Sequence, residues 1–495
     1  MDLSDLIERN AAFTPGRLAL RFEGRDLSYA AFAARIAAAA RGLKSACGVG
    51  RGDRVALLAA NHPDYLVLLF ACARLGAILV PLNWRLAVPE LAFMLHDSTP
   101  SVLFAGAEFA DTMAALQAQF PHMAMLPLET GIDAAAASAD GDGRSLSVDW
   151  GSPLLIVYTS GTTGRPKGAV LTHAALQANA AMSQHMHAMT SADHVLTVLP
   201  LFHVGGLNIQ TTPALLCGAS VTLHARFSPD AALAALDRER PTLTLLVPAT
   251  IQALLAHPDF AVADLSCLRA ISTGSQIVPQ QLVDSLEARG VPVLQVYGAT
   301  ETCPVAVYTR SGGDRSRPGS TGLPGLLCEA LIVDDAGAEL PAGEVGEVAV
   351  RGPNVLREYW GNAPATAEAL HDGWYRTGDI GSRDADGYFT IHDRKKNLIV
   401  SGGENIYPAE IERVLGTHPA VAEAAVIGRP DPRWQEVPVA YVILRDGARV
   451  DEASLRAHLL GQLARFKVPR EISFVETLPR TALGKVQHYL LRTES

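Results

Sequence analysis

Paired cysteines, a surplus of cations, a membrane-length apolar run and internal repeats are all missing from this 495-residue chain. The six cysteines, Cys47, Cys72, Cys217, Cys267, Cys303 and Cys328, form no C-x-x-C pair and sit mostly among apolar neighbours. That excludes a zinc ribbon or disulfide frame and fits buried thiols in a reducing compartment. Lysine and arginine number 41 against 51 aspartate and glutamate, a net charge of −10, so no cationic excess is available for a nucleic-acid backbone. The most apolar stretch, Tyr65 to Leu82, is cut by Arg74 into pieces too short to span a bilayer. The opening MDLSDLIERN is acidic and lacks the charged-then-apolar order of a secretion signal, so a cytoplasmic protein is expected.

What is present is a globular balance, with 48% hydrophobic and 19% charged residues, which excludes disorder as the main state. The length allows about two to four domains. Residues 28–46 read as an Ala-rich amphipathic helix and RVALLAA at 54–60 as a buried strand. Residues 64–75 return to helical spacing and AILVPL at 77–82 to a strand, an alternation that predicts a parallel sheet covered on both faces. The Ala/Gly/Asp-rich Asp133–Arg144 is the best internal linker candidate, followed by the strand LLIVYT at 154–159. A second strand/helix series runs over about 190–310, and residues 320–395 turn β-rich, with GEVAVRG and GYFTIHD as clear strands. Beyond Lys396 lies an α+β tail: a helix over Tyr407–Leu415, strands VAEAAVIG and VPVAYVIL, a helix at 451–464 and a last strand EISFVE. The fold class is therefore α/β. It comprises a large N-terminal domain over 1–395 with a small β-barrel-like subdomain, then a small α+β domain over 396–495.

Chemistry concentrates in Tyr158-Thr-Ser-Gly-Thr-Thr-Gly-Arg-Pro-Lys-Gly168. Its glycines let backbone N–H groups approach an anion, and its hydroxyls and Lys167 add donors and charge, so it reads as a phosphate loop. It is not a Walker A loop, because Pro166 and Gly168 stand where a glycine and a magnesium-holding hydroxyl are needed, and the apolar strand AVLT follows instead of a helix.

This loop resembles the signature of the adenylate-forming superfamily: acyl-CoA synthetases, aryl-CoA ligases, luciferases and peptide-synthetase adenylation domains. The likeness extends over nearly the whole chain, with Pro200–Gly206 (PLFHVGG), Tyr297–Glu301 (YGATE), Tyr375–Asp379 (YRTGD), Asp393-Arg394, Gly402–Asn405 (GGEN) and Thr481–Lys485 (TALGK) in the family's order. It is nearest in kind to bacterial feruloyl-CoA synthetase-like and fatty-acid–CoA ligases. The resemblance implies an acid–CoA ligase using ATP, Mg2+ and CoA, which adenylates a carboxylic acid and passes the acyl group to the CoA thiol. It further implies that Glu301 and Thr159 hold magnesium, that Thr300 contacts the α-phosphate, and that Lys485 is the catalytic lysine, with His203 beside the reacting acid. Nucleotide contacts would come from Thr159, Ser160, Gly161, Thr162, Thr163, Gly164, Lys167, Gly274, Ser275, Gln276, Tyr297 (stacked on adenine), Gly298, Thr300, and the ribose pair Asp379 and Arg394.

By the same resemblance His203, Val204, Gly205, Gly206, Leu207, Thr250, Thr302, Cys303 and Val305 line the acyl pocket, a small apolar set with paired glycines leaving room for a flat ring or chain. An uncharged aromatic or phenylpropenoic acid is favoured, then a medium- to long-chain fatty acid. Arg310 is the one nearby cation that would suit a second carboxylate, as in malonate-type ligases. CoA contacts would come from Arg85, Gly402, Gly403, Glu404, Phe466, Lys467 and Arg470, with the small domain pivoting at Lys396. Two departures stand out: Asn397, where relatives often carry Asp, and Ser275-Gln276-Ile277, where relatives read Gly-Gly-Ala-Pro across the stretch. Cys303 reads as packing more than as a nucleophile, and His185 and His187, two apart on a helix, do not face one metal. Alternatives are an enzyme loading a carrier protein's phosphopantetheine and a nucleotide-binding regulator that has lost catalysis. The oligomeric state, with a homodimer as one option, is left open.

Overall fold

The run PDYLVLLFACARL folds as helix Pro63–Leu75, buried on every side. Pro63 occupies its first turn, where a missing N–H costs nothing, and Gly76 ends it at φ +73°, a left-handed backbone that glycine takes without strain. Each Leu, Val or Phe buried there contributes about 1.5–3 kcal/mol. Arg74, the residue that breaks the apolar run, is only 6% exposed and is paired with Glu8 on the first helix, Leu3–Phe13. The amphipathic segment becomes helix Tyr29–Ser45, capped by the Ser28 hydroxyl and burying Tyr29, Phe32, Ile36 and Leu43.

The structure is a computed structural model and describes residues 1–137, 143–145, 147–159, 166–314, 317–401, 404–463, 465–480 and 485–491. These pack into two compact units. The first takes Met1–Ser275, Gln280–Ala330 and Val350–Arg376; the second takes Gln276–Pro279, Leu331–Ala349 and Thr377–Ser495.

Two sheets build the first unit. In one, strands Pro153–Thr159, Ile78–Pro81, Arg54–Leu58, Val102–Ala105 and Ala124–Pro127 lie parallel in that order, extended antiparallel by Lys167–Thr172 and Glu358–Tyr359. In the other, Val293–Tyr297, Ala270–Gly274, Leu243–Leu246, His194–Thr197, Ser220–Leu223 and Leu18–Phe22 run parallel, with short antiparallel strands at both edges. The alternation in the sequence is thus the parallel α/β architecture expected of it. The linker candidate is corrected: its start, Asp133–Ala137, is the end of helix Leu128–Ala137, residues 138–142 lie outside the described residues, and the sheet strands on either side belong together. Asp133 pairs with Arg35 at 3.1 Å, so this segment is packed onto the unit instead of linking two.

In the second unit, strand Gln435–Leu444 is flanked by Val421–Asp431 and by Ile399–Ser401 with Glu404–Ile406, and Glu471–Phe474 joins it in parallel. Helix Pro408–Gly416 and helix Glu452–Leu460, shorter than the 451–464 read from the sequence, close its core of Ile399, Ile406, Ile411, Leu415, Val421, Val426, Leu455 and Leu459. The β-rich residues 331–349 and 377–394, which the sequence groups with the large domain, pack in this second unit. Ile411→Ala, emptying a fully buried site, is expected to cost about 2–5 kcal/mol. Hydrogen exchange should then quicken in Val421–Leu444 while Pro63–Leu75 keeps its protection; unchanged exchange in the second unit would contradict this core.

Candidate nucleotide and acid site

The phosphate loop joins two strands that pair antiparallel with Thr159 opposite Lys167, so the geometry of its mouth is set by the sheet. Ser160, Gly161, Thr162, Thr163 and Gly164 lie outside the described residues. On strand Lys167–Thr172, the Lys167 ammonium sits 5.3 Å from the Tyr359 ring centroid, a cation over an aromatic face.

Glu301 follows strand Val293–Tyr297 in the short helical turn Thr300–Thr302, at the carboxyl end of a parallel sheet, where open α/β sheets bind ligands. The residue is only 7% exposed, yet its Oε1 accepts two hydroxyl protons, from Tyr359 at 2.8 Å and from Thr159 Oγ1 at 3.2 Å. Among the described residues no hydrogen bond takes Oε2. One carboxylate oxygen held by hydroxyls with the other open suits a hard cation completed by substrate phosphates, so the residues present fit magnesium. Tyr297 closes the same strand half-buried, and Gly298 is obligatory, since a Cβ there would lie 1.8 Å from the Pro304 carbonyl oxygen. Gly274 is equally confined, at 2.3 Å from the Val296 carbonyl. Ser275 holds a left-handed φ of +72°, the conformation that a glycine in relatives would take freely.

Beyond Glu301 the chain turns through Cys303, fully buried at φ +73°, with a weak contact from Asn208 Nδ2 to its Sγ at 3.5 Å. Burial pushes this thiol far above its ordinary range, so the nucleophile reading is closed. Thr302 and Val305 are also fully buried, and Asn354 Nδ2 donates to both their carbonyls at 2.9 and 3.1 Å. In PLFHVGG, His203 Nδ1 accepts from Gly205 N at 3.0 Å and opens a helical turn that runs into π-helical Leu207–Thr211. The paired glycines differ in role. At Gly206 a Cβ would meet the Pro200 carbonyl at 2.3 Å, so glycine is needed for backbone contact; at Gly205 a Cβ would press on the His203 ring, with Nδ1 at 3.0 Å, so only a side chain would have to give. Val204 and Leu207 are buried beside them, and the Thr250 hydroxyl is engaged with Val247 at the start of helix Pro248–Leu255.

Both helical histidines are structural. His187 bonds the Ser183 carbonyl through Nδ1 and Ser272 Oγ through Nε2, both at 2.7 Å, and burial holds its pKa down at about 4, while His185 meets Tyr308 OH. Arg310 is exposed and donates to the His185 carbonyl.

A cluster the sequence reading missed surrounds Trp84. Arg85 and Arg226 place their guanidinium carbons 4.7 and 4.5 Å from the Trp84 ring centroid. Desolvation first, and the Arg226 charge second, hold Arg85 below the ordinary guanidinium range. Only the two-cation stacking reveals Arg226, 141 positions away in the chain.

In the second unit Asp379 and Arg394 face each other across paired strands, with Nε to Oδ1 at 3.3 Å, and Gly378 at φ +69° donates its N–H to Glu347. Gln276 is exposed, and Lys485 is half-buried, adjoining the bridge Arg480–Val486. Of the CoA set, Phe466 and Arg470 are exposed, whereas Lys467 is engaged by both Glu410 oxygens at 2.7 and 2.9 Å, so its charge is already matched. Exposed Trp434, with Arg433 4.9 Å from its ring, is a second aromatic that sequence reasoning overlooked. Gly402 and Gly403 lie outside the described residues, and Glu404 begins strand Glu404–Ile406. Lys396 lies in the turn Lys395–Asn397. Asn397 Nδ2 donates to Asp393 Oδ1 at 3.0 Å, and Asp393 Oδ2 accepts from Ala409 N at 3.0 Å. An Asp at 397 would lack this donor and set a second carboxylate beside Asp393.

A family model for AMP-binding enzymes matches residues 7–360, and one for the AMP-binding enzyme C-terminal domain matches 410–485. The chain is 48% identical to an indoleacetate–CoA ligase of Aromatoleum aromaticum, covering 98% of this chain and 97% of that one. It is 44% identical to a feruloyl-CoA synthase of an Amycolatopsis species, covering 97% and 96%. Among solved structures, ATP-bound MatB from Rhodopseudomonas palustris superposes with a TM-score of 0.92 at 33% identity over 100% of this chain and 99% of the other. The o-succinylbenzoate CoA synthetase of Bacillus subtilis with its acyl-adenylate gives 0.89 at 32% over 99% and 98%. With both halves matched in order, this chain belongs to the AMP-binding enzyme family.

Proposed function

We propose that the protein is an AMP-forming acid–CoA ligase for aromatic acids. The observation that carries this is the buried Glu301 carboxylate, fixed by two hydroxyls beside the phosphate-loop lysine. The names of the 48% and 44% identical relatives, acting on indoleacetate and ferulate, support an aryl side chain on the acid. So does the acyl set itself, in which His203 is the one basic residue and the hydroxyls of Thr250 and Thr302 sit among small or apolar neighbours.

In the first step a carboxylate oxygen attacks the α-phosphorus of ATP and pyrophosphate leaves with the broken P–O bond's electrons. Magnesium, when bound, spreads the charge of the polyphosphate, and Glu301 with Thr159 would hold it. Lys167 supplies a fixed cation at the loop, Thr300 a hydroxyl, Tyr297 a face for the base, and Asp379 with Arg394 the ribose contacts. Lys485 is the mobile cation that meets the acid and the α-phosphate as charge develops. In the second step the CoA thiol sulfur attacks the acyl carbon, AMP leaves and the thiol proton is lost to solvent. A pivot at Lys396 exchanges Lys485 for the Gly402–Glu404 face between the two steps. Arg85 and Arg226 on Trp84 offer two neighbouring cations to the CoA phosphates, with Phe466, Arg470 and Trp434 as further contacts. No helix among the described residues is long and apolar enough to cross a membrane.

Scored by CoA-dependent AMP formation, arylacetic and phenylpropenoic acids should exceed fatty acids by at least about tenfold in kcat/KM; the reverse order would remove the aromatic assignment. Lys485→Ala should lose acid-dependent pyrophosphate release by about a hundredfold or more. It should retain thioester formation from supplied acyl-adenylate, and equal loss of both would refute the lysine's role. Arg226→Ala should raise the KM for CoA by about tenfold, an effect that fades at high salt, with pyrophosphate release unchanged.

A further inference from the structure

We infer that Tyr359 is a positioning residue for adenylation, holding the metal-side carboxylate and the phosphate-loop lysine in one arrangement. The inference rests on the reading of Glu301 given above. This side chain is 7% exposed, and besides a hydrogen bond with Tyr375 it makes two contacts to the site. Its hydroxyl donates to Glu301 Oε1 at 2.8 Å, and its ring lies 5.3 Å from the Lys167 ammonium.

The backbone around Tyr359 is tied to both arms of the site. Leu356 N donates to the Glu301 carbonyl at 2.7 Å. Arg357 N donates to Val170 O at 2.9 Å and Trp360 N to Gly168 O at 2.7 Å, while Tyr359 registers opposite Ala169 on the lysine's own strand. The segment 356–360 is therefore a strap stitched to Glu301 on one side and to residues 168–170 on the other. Its buried tyrosine touches the functional group of each, while Trp360 packs against the core beside it.

The physical consequence follows from the donor geometry. A carboxylate has two equivalent oxygens and a free torsion; two hydroxyl donors on Oε1 remove that freedom and direct Oε2 to the ligand side. The ring does the same for a flexible lysine, lowering the ordering cost of meeting a phosphate. Among the described residues no ion pair competes for Lys167, so the aromatic face is its fixed neighbour.

The test uses the full-length protein and Mg2+·ATP without acid, titrated by calorimetry. Tyr359→Phe keeps the ring and removes the hydroxyl; it should raise the dissociation constant about tenfold, the size of one lost hydrogen bond to a charged group. It should also raise the Mg2+ concentration needed for pyrophosphate release, while thioester formation from supplied acyl-adenylate stays within twofold. Tyr359→Leu should bind more weakly still, because Lys167 then loses its seat. Glu301→Gln is the control. If it weakens binding and Tyr359→Phe does not, the positioning role is overturned; if Glu301→Gln leaves binding unchanged, the reading of Glu301 fails and the role of Tyr359 falls with it. A loss of the thioester step equal to the loss of binding would mark Tyr359 as merely structural.

Discussion

A carboxylate and a polyphosphate repel each other, and the site must overcome that repulsion with charges held still before the substrates arrive. Within the fold, Glu301 meets the same difficulty as a carboxylate taken out of water. Its burial at 7% exposure is tolerable because hydroxyl donors from Thr159 and Tyr359 satisfy one oxygen. Everything nearby serves that arrangement: Gly298 lets the chain turn under the Pro304 carbonyl, and Asn354 clamps the loop through the carbonyls of Thr302 and Val305.

The glycines and the asparagine show how residue choice in this region is governed by backbone approach more than by pocket shape. Gly206 and Gly274 each sit where a Cβ would be 2.3 Å from a carbonyl oxygen. Gly205 differs from Gly206 in that a Cβ there would press only on the His203 side chain, at 3.0 Å, and on no backbone atom. Fully buried Cys303 belongs to the same backbone requirement, as a small side chain in a left-handed turn, and its thiol chemistry is silenced by burial.

Much of this was legible in the residues, for reasons that differ by element. The parallel sheets follow from alternating apolar runs and helical spacing, and helix Pro63–Leu75 from its apolar length, its leading Pro and its closing Gly. The residues proposed for the nucleotide, Glu301, Asp379 and Arg394, lie in contiguous strings whose chemistry can be read locally. Tyr359, Arg226 and Asn354 could not be found that way. Each acts on partners 49 to 192 positions distant, as with Tyr359 on Lys167 and Asn354 on Val305, and none lies in a string with its own chemical signature. The linker was misjudged because Ala-rich composition serves a helix as readily as a tether, and Asp133 had a partner in Arg35 that no local pattern reveals.

The strap at residues 356–360 also orders events in the making of the protein. Thr159, Lys167 and Glu301 are all synthesised before it, yet the edge strand beside Lys167 and the second hydroxyl on Glu301 both come from it. A nascent chain halted on the ribosome before Tyr359 emerges would carry the phosphate loop and the acidic turn without the piece that joins them. The cluster of Thr159, Lys167, Glu301 and Tyr359 is therefore complete only once nearly three-quarters of the 495 residues have left the exit tunnel.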